Sequence, residues 1–281
     1  NTYKAEEATI GKVPLKPREI PNSVSVITRK QIEEQNLTTV HDAMVQTTGI
    51  NAISNDTTNT QYFARGFGLG VMFDGVSSYN GMTPSHQLDL PLYERIEVLR
   101  GPAGLLRGSG EPGGVVNFVK KRPKDTFGAS WAATGGSWNH YRLEGDVTGP
   151  LNQSKTLRGR LIASAQDKDY FYDHTHSKKW LGMAALEYDV TPNATVSASY
   201  TAQSQDVKAP WSGLPASSAQ TDDHFSLLAV DRSTFHVPDW GKLKYDTQET
   251  ALGAQYRFNN AWTIQLKANH RTQNQYYKYA Y

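Results

Sequence analysis

The sequence predicts an α+β domain over residues 1–123, followed over 124–281 by antiparallel transmembrane β-barrel strands. Three observations predict it. Helix caps and short β segments are mixed up to Pro123; beyond it, apolar and polar residues alternate strand after strand with no helical pattern between them. The connections between those strands also alternate in length.

In the first domain, Val24, Val26 and Ile27 make a short strand, and Thr28 stands three residues before Gln31, a capping-box spacing that opens a helix to about Asn36. Thr39, with Asp42 in the first turn, caps a second helix that ends near Gly49. Short strands are expected over 50–53, 61–65, 71–73, 94–100 and 115–120, with glycine-rich turns between several of them. Lys120-Lys121-Arg122-Pro123 reads as the exit from this domain.

After the exit the period becomes two. A strand over 127–134 opens the series. Tyr141, Leu143, Gly145 and Val147 then share one parity, with Arg142, Glu144, Asp146 and Thr148 on the other. Trp180, Gly182, Ala184, Leu186, Tyr188 and Val190 share a face opposite Glu187 and Asp189. Val196, Ala198 and Tyr200 alternate with Ser197, Ser199 and Thr201, and Ile264, Leu266 and Ala268 with Gln265, Lys267 and Asn269. With weaker segments over 157–166 and 252–258, about seven strands are expected. Soluble half-buried sheets also alternate. The barrel reading rests on the unbroken succession of strands, on aromatics near strand ends (Trp131, Trp180, Tyr188, Tyr200, Phe258, Trp262) and on the connections. Those over 149–156, 190–193 and 259–261 are short, while 167–177 and 207–247 are long, as periplasmic turns and outer loops would be; the outer connection 135–139 is short and departs from that rule. Seven strands cannot enclose a domain of this size, and an open sheet edge in lipid leaves backbone groups unpaired, so further wall strands are expected outside this sequence.

Composition narrows the function. Lys+Arg 29 against Asp+Glu 27 gives no basic surplus for a nucleic-acid partner, and the absence of cysteine removes disulfides, thiol catalysis and cysteine metal sites. No run approaches the roughly 18 apolar residues of a membrane helix, and no signal-peptide pattern stands at Asn1. Residues 108–113 satisfy G-x-G-x-x-G, but a strand rather than a helix follows, which excludes a dinucleotide site; no P-loop is present. His174 and His176 with Asp173 are read as loop residues, so no metal site and no catalytic residue is assigned.

The first domain resembles the plug of TonB-dependent outer-membrane receptors, in their siderophore-receptor branch. The resemblance is carried by Ile20-Pro21-Asn22-Ser23-Val24-Ser25-Val26-Ile27-Thr28, Val40-His41-Asp42-Ala43-Met44, Thr47-Thr48-Gly49-Ile50, Arg65-Gly66-Phe67 and Phe73-Asp74-Gly75-Val76. It continues in Glu94-Arg95-Ile96-Glu97-Val98-Leu99-Arg100-Gly101-Pro102, Gly113-Gly114-Val115-Val116-Asn117 and Lys121-Arg122-Pro123. Looser agreement follows in Gly136-Ser137-Trp138, Asp146-Val147-Thr148-Gly149-Pro150-Leu151 and Gly213-Leu214-Pro215. The resemblance implies a plugged barrel of about 22 strands, a monomer in the outer membrane among lipid and lipopolysaccharide. It also implies a ferric siderophore as transported ligand, hydroxamate-type or mixed, with no other cofactor, and import energy from TonB. No TonB-contacting box is identifiable before Pro21. A receptor for cobalamin or another metal complex, or a barrel enzyme, are the alternatives; the enzyme would need a Ser/His or Asp/His group at the barrel mouth, and none stands out.

A bulky chelate with apolar faces and polar oxygens calls for aromatics and a few donors. The expected ligand-binding residues are Arg65, Phe67, Leu69, Tyr79, Met82, His86 and Gln87 in the plug and Trp211, Phe225 and Trp240 in the barrel loops. Glu94, Glu97 and Arg100 are expected to hold plug to barrel, with Arg142, Glu144, Arg158 and Arg160 as lumen-facing partners.

Overall fold

The computed structural model describes residues 3–11, 14–78, 88–103, 110–211, 213–214, 229–259 and 262–279. Tyr79, Met82, His86, Gln87 and Phe225 lie outside the described residues.

The first domain begins with strand β1 (Ser23–Thr28) and helices α1 (Arg29–Glu34) and α2 (Val40–Val45), shorter than the sequence suggests. Both caps form. Thr28 Oγ1 accepts from Gln31 N at 3.3 Å, and Thr39 and Asp42 close a reciprocal capping box. Next come β2 (Ile50–Ser54), β3 (Thr60–Ala64), β4 (Phe67–Gly68), β5 (Gly70–Phe73), β6 (Val76–Ser78), β7 (Tyr93–Arg100) and β8 (Gly114–Lys120). They build a five-stranded sheet ordered β1-β7-β8-β5-β6 and a three-stranded sheet β2-β3-β4. β4 and β6 are too short, at two and three residues, to show a period in sequence.

Seven antiparallel strands form one further sheet in sequence order: β9 (Gly128–Gly136), β10 (His140–Pro150), β11 (Leu157–Asp169), β12 (His176–Thr191), β13 (Ala194–Lys208), β14 (Lys242–Arg257) and β15 (Thr263–Lys278). Its outer face carries exposed Trp131, Tyr141, Leu143, Leu161, Trp180, Leu186, Tyr200, Leu252 and Leu266, an apolar surface that suits lipid. Tyr200 lies mid-strand rather than at a strand end. The inner face buries Arg142, Thr148, Arg160, Gln166, Lys179, Glu187, Gln203 and Glu249 against the first domain. The predicted parity therefore holds on both faces. No helix among the described residues is long and apolar enough to cross a membrane.

One apolar patch interrupts the polar inner face. Ile162, Leu181, Met183 and Ala185 join the core of the first domain, which includes Ile32, Met44, Tyr93, Ile96 and Phe118. A second core, of Ala8, Ile10, Ile20, Met72, Leu99, Ala103 and Val115, contains no wall residue.

Ionic contacts fix the domain within the wall at two levels. Near the first domain's exit, Lys121 Nζ meets Asp146 at 2.8 Å, Arg122 meets Glu187 at 2.6 Å, and Lys120 meets Glu249. Each carboxylate also holds a wall arginine, respectively Arg160, Arg158 and Arg271. Nearer the opposite end, Asp89 accepts from Arg142 Nη2 at 2.6 Å, from Lys179 Nζ at 2.5 Å and from Ser164 Oγ at 3.1 Å.

The expectation that Glu94, Glu97 and Arg100 bridge to the wall is corrected here. Glu97 is fully buried inside the first domain and accepts from Thr9 N, Arg95 Nε and Asn117 Nδ2. Arg100 donates to Ser23, Ser25 and the Thr48 carbonyl. Glu94, half-buried on β7, makes no ion pair to a described residue. Glu97 and Arg100 tie the domain to itself, because β7 sits between β1 and β8 in its sheet.

Candidate ligand-binding site

The wall strands β11, β13 and β15 all end at the side opposite the first domain's exit, so their connections gather at one mouth. The sequence loads those connections with rings. Residues 170–172 follow β11, Trp211 follows β13, and Tyr279 follows β15. Trp211 stacks on Tyr172 with centroids 4.6 Å apart and planes 24° from parallel. Phe171 meets Tyr172 edge-on at 4.8 Å, and Tyr170 stacks on Tyr172 at 5.2 Å. Across the opening, Tyr245 and Tyr277 share a 2.8 Å contact between hydroxyls, and Tyr277 stacks with Tyr279 at 6.0 Å.

The first domain reaches this ring of aromatics through residues 55–59, the loop of the β2–β3 hairpin. Thr57 N donates to the Trp211 carbonyl at 3.0 Å, and Trp211 N donates back to Thr57 Oγ1 at 2.8 Å. The Thr57 hydroxyl also lies 3.1 Å from Tyr172 Oη. Asp56 caps the loop: its Oδ1 accepts from Thr58 N and Asn59 N, both at 2.7 Å, and its Oδ2 accepts from Tyr279 Oη at 3.1 Å. Below the loop, a cavity of about 390 Å³ between domain and wall is lined by Thr58, Thr60, His41, Gln166, Lys168 and Gln205 among other polar residues.

Burial pushes the Tyr172 phenol up to about 12, against the lowering effect of its Thr57 hydrogen bond and aided by the Asp56 charge. Burial likewise raises Tyr170, with Tyr172 adding to it, and raises Tyr279, with Asp56 adding to it. These phenols therefore remain protonated at neutral pH, Tyr279 donating to Asp56 and Tyr172 pairing with Thr57. The Trp211 indole Nε1–H is buried and has no acceptor among the described residues. The site thus offers the partly exposed rings of Phe171, Trp211 and Tyr279 and the unaccepted indole N–H of Trp211. That combination fits a bulky ligand with apolar surfaces and acceptor oxygens.

Trp211 is the sequence-predicted residue that lies in this cluster. Trp240, half exposed, sits on the rim with Lys278 Nζ 5.0 Å from its ring centroid. Arg65 and Phe67 are exposed at the far tip of the β2–β3–β4 sheet, across the hairpin from Thr57. Arg65 and Gly66 there take positive φ values of 53° and 83°. Leu69 is 3% exposed and belongs to the core, so its side chain is closed to a ligand. Sequence reasoning missed Asp56, Thr57, Tyr170, Phe171, Tyr172, Tyr245, Tyr277 and Tyr279. The available signal was topological: aromatic runs at 170–172 and 276–279 fall on connections that share one end of the sheet.

A family profile described as TonB-dependent Receptor Plug Domain matches residues 16–115. The chain is 33% identical over its whole length to the ferric-pyoverdine M114 receptor PbuA of Pseudomonas sp. strain M114, covering 34% of that relative. It superposes with a TM-score of 0.88 and 31% identity on the crystal structure of the Pseudomonas aeruginosa outer-membrane ferripyoverdine receptor bound to ferripyoverdine. That superposition covers 96% of this chain and 36% of the other. The chain belongs to the TonB-dependent receptors.

Its first domain is the plug, and β9–β15 are part of the barrel wall. The chain spans about a third of the length of the curated relatives it matches. More distant likenesses include the ferrioxamine B receptor of Salmonella typhimurium, 29% identical over 89% of this chain and 36% of the relative. Another is the alcaligin receptor FauA of Bordetella pertussis, with TM-score 0.80, 26% identity, and coverage of 99% of this chain and 43% of that structure. These relatives are named as receptors, not enzymes.

Proposed function

We propose that this receptor sits in the outer membrane of a Gram-negative bacterium, binds a ferric siderophore at the aromatic mouth and imports it with energy from TonB. The carrying observation is the meeting of the plug loop at Asp56–Thr57 with Tyr172 and Trp211. Plug and wall thereby contribute to one surface, so a ligand seated there touches the part that must yield for passage. A hydroxamate-type or mixed chelate matches the aromatic rings and the Trp211 indole N–H: its oxygens accept a hydrogen bond, while its organic periphery covers the rings. Similarity to receptors named for pyoverdines and ferrioxamine B supports the same class. The siderophore is cargo, not a resident cofactor. Lipid and lipopolysaccharide would surround the wall, and the working unit would be a monomer.

A second reading, a receptor for another metal chelate, draws support from 27% identity over 65% of this chain to the metal-pseudopaline receptor CntO. Iron-limited growth on a panel of purified siderophores, with and without the full-length gene, separates the two. Receptor-dependent rescue by a ferric hydroxamate or mixed chelate is expected. Rescue by none, with uptake of another metal complex instead, would overturn the iron assignment.

A further inference from the structure

We propose that Asp56 makes the mouth selective for chelates that carry a protonated amine or guanidinium; the inference rests on the reading of the mouth as a ferric-chelate site. Asp56 stands in the plug loop that meets Tyr172, Trp211 and Tyr279. Its hydrogen bonds come from neutral donors, namely Thr58 N, Asn59 N, the Thr58 hydroxyl and Tyr279 Oη. They orient the carboxylate without bringing an opposite charge to it. It forms no ion pair with a described residue, whereas the described cations of the mouth are committed elsewhere. Arg232 lies over Phe171 with its guanidinium carbon 4.9 Å from the centroid, Lys168 over Tyr170 at 4.5 Å, and Lys278 over Trp240.

A lone carboxylate beside ring faces is a cation site by its chemistry. The charge supplies attraction, and the partly exposed rings of Trp211 and Tyr279 supply the quadrupole that favours an organic cation. A chelate whose iron-binding groups rest on the rings would place a basic side arm against Asp56. A ligand of net negative charge with no basic arm would meet repulsion at the same spot. A role for Asp56 confined to capping its own loop makes a different prediction, and Asp56→Asn separates them. Asparagine keeps the oxygen that accepts from Thr58 and Asn59 and loses only the charge.

The test measures affinity of the full-length protein in detergent for two pairs of ferric chelates. One is a linear trihydroxamate with its terminal amine free or acetylated; the other is a mixed catecholate–hydroxamate peptide with its basic side chain free or acetylated. Wild type is expected to favour the free amine by about tenfold in at least one pair, a preference the Asp56→Asn variant loses. The acetylated trihydroxamate, which is neutral, should bind both proteins alike, and the acetylated mixed chelate, which is net negative, should bind the variant at least as tightly as wild type. Equal weakening of free and acetylated forms in the variant would assign Asp56 to loop structure and overturn the proposal, as would an unchanged preference. Failure of every chelate to bind wild type would overturn the ferric-chelate reading, and this proposal with it.

Discussion

At the residue scale, the plug–wall contacts divide by what each leaves behind when broken. Asp89 is nearly fully buried, and Arg142, 3% exposed, is a principal partner. Replacing Arg142 with alanine leaves Lys179 as the remaining cation and should cost about 3 kcal/mol, the lower end for a broken buried pair. Hydrogen exchange of the β7 amides would register it as easier opening. Lys121 is different. Its partner Asp146 also accepts from Arg160 Nε at 2.8 Å and Nη2 at 2.6 Å. Lys121→Met should therefore cost about 1 kcal/mol or less in the same measurement, because no wall charge is stranded.

The same carboxylate sets an acid limit. Burial alone would raise Asp89, but Lys179 and Arg142 outweigh it and hold the group below the usual carboxylate range. A depressed value stabilises the folded form above the unfolded value near 4 and loses that contribution as pH falls through the folded value. Pepsin digestion across pH 4.5 to about 2 should leave the plug intact at the upper end and cleave it progressively below about pH 4. In Asp89→Asn the cleavage rate should lose that acid step. An unchanged step in the variant would assign it to other carboxylates.

At the scale of elements, two glycines explain the Gly113-Gly114-Val115-Val116-Asn117 motif. A Cβ on Gly114, at φ +132°, would lie 2.0 Å from the Leu99 carbonyl oxygen, and one on Gly113 would lie 2.3 Å from that of Phe67. Gly114→Ala should therefore destabilise the β7–β8 pairing by at least about 2 kcal/mol, seen as a lowered Tm of the plug transition in detergent. The Arg65-Gly66-Phe67 motif likewise forms a tight turn, with Arg65 and Gly66 at positive φ. On the wall, Tyr200→Lys places a charge mid-strand on the lipid face. It should cost about 2–4 kcal/mol and reduce assembled barrel in heat-modifiability gels.

Legibility follows the physics of each element. Thr28 and Thr39 were readable because a cap is a local hydrogen bond set by spacing. The wall was readable because one face of each strand meets lipid and the other meets charge. Leu181, Met183 and Ala185 were not, since β12 is apolar on both faces where it packs on the plug and alternation vanishes there. The mouth was least readable. Its rings stand in connections with no period, and only the register of the seven strands brings Tyr172, Trp211 and Tyr279 to one place.

At the scale of the whole molecule, the plug is held in three ways that act at different heights. Lys120, Lys121 and Arg122 grip β14, β10 and β12 near the exit. The core shared with Ile162, Leu181 and Met183 follows, and the Asp89 cluster and the Thr57–Trp211 contact lie towards the mouth. The proposed ligand site and plug retention thus meet at the upper level. The most direct measurement of the central claim is a titration of the full-length protein in detergent with ferric hydroxamate and mixed chelates, read by tryptophan emission and by bound iron, in wild type and Trp211→Ala. Saturable binding of at least one chelate, weakened about tenfold or more in the variant, is the predicted result. Absence of saturable binding by every chelate, or equal affinity in both proteins, would contradict a chelate site at this mouth.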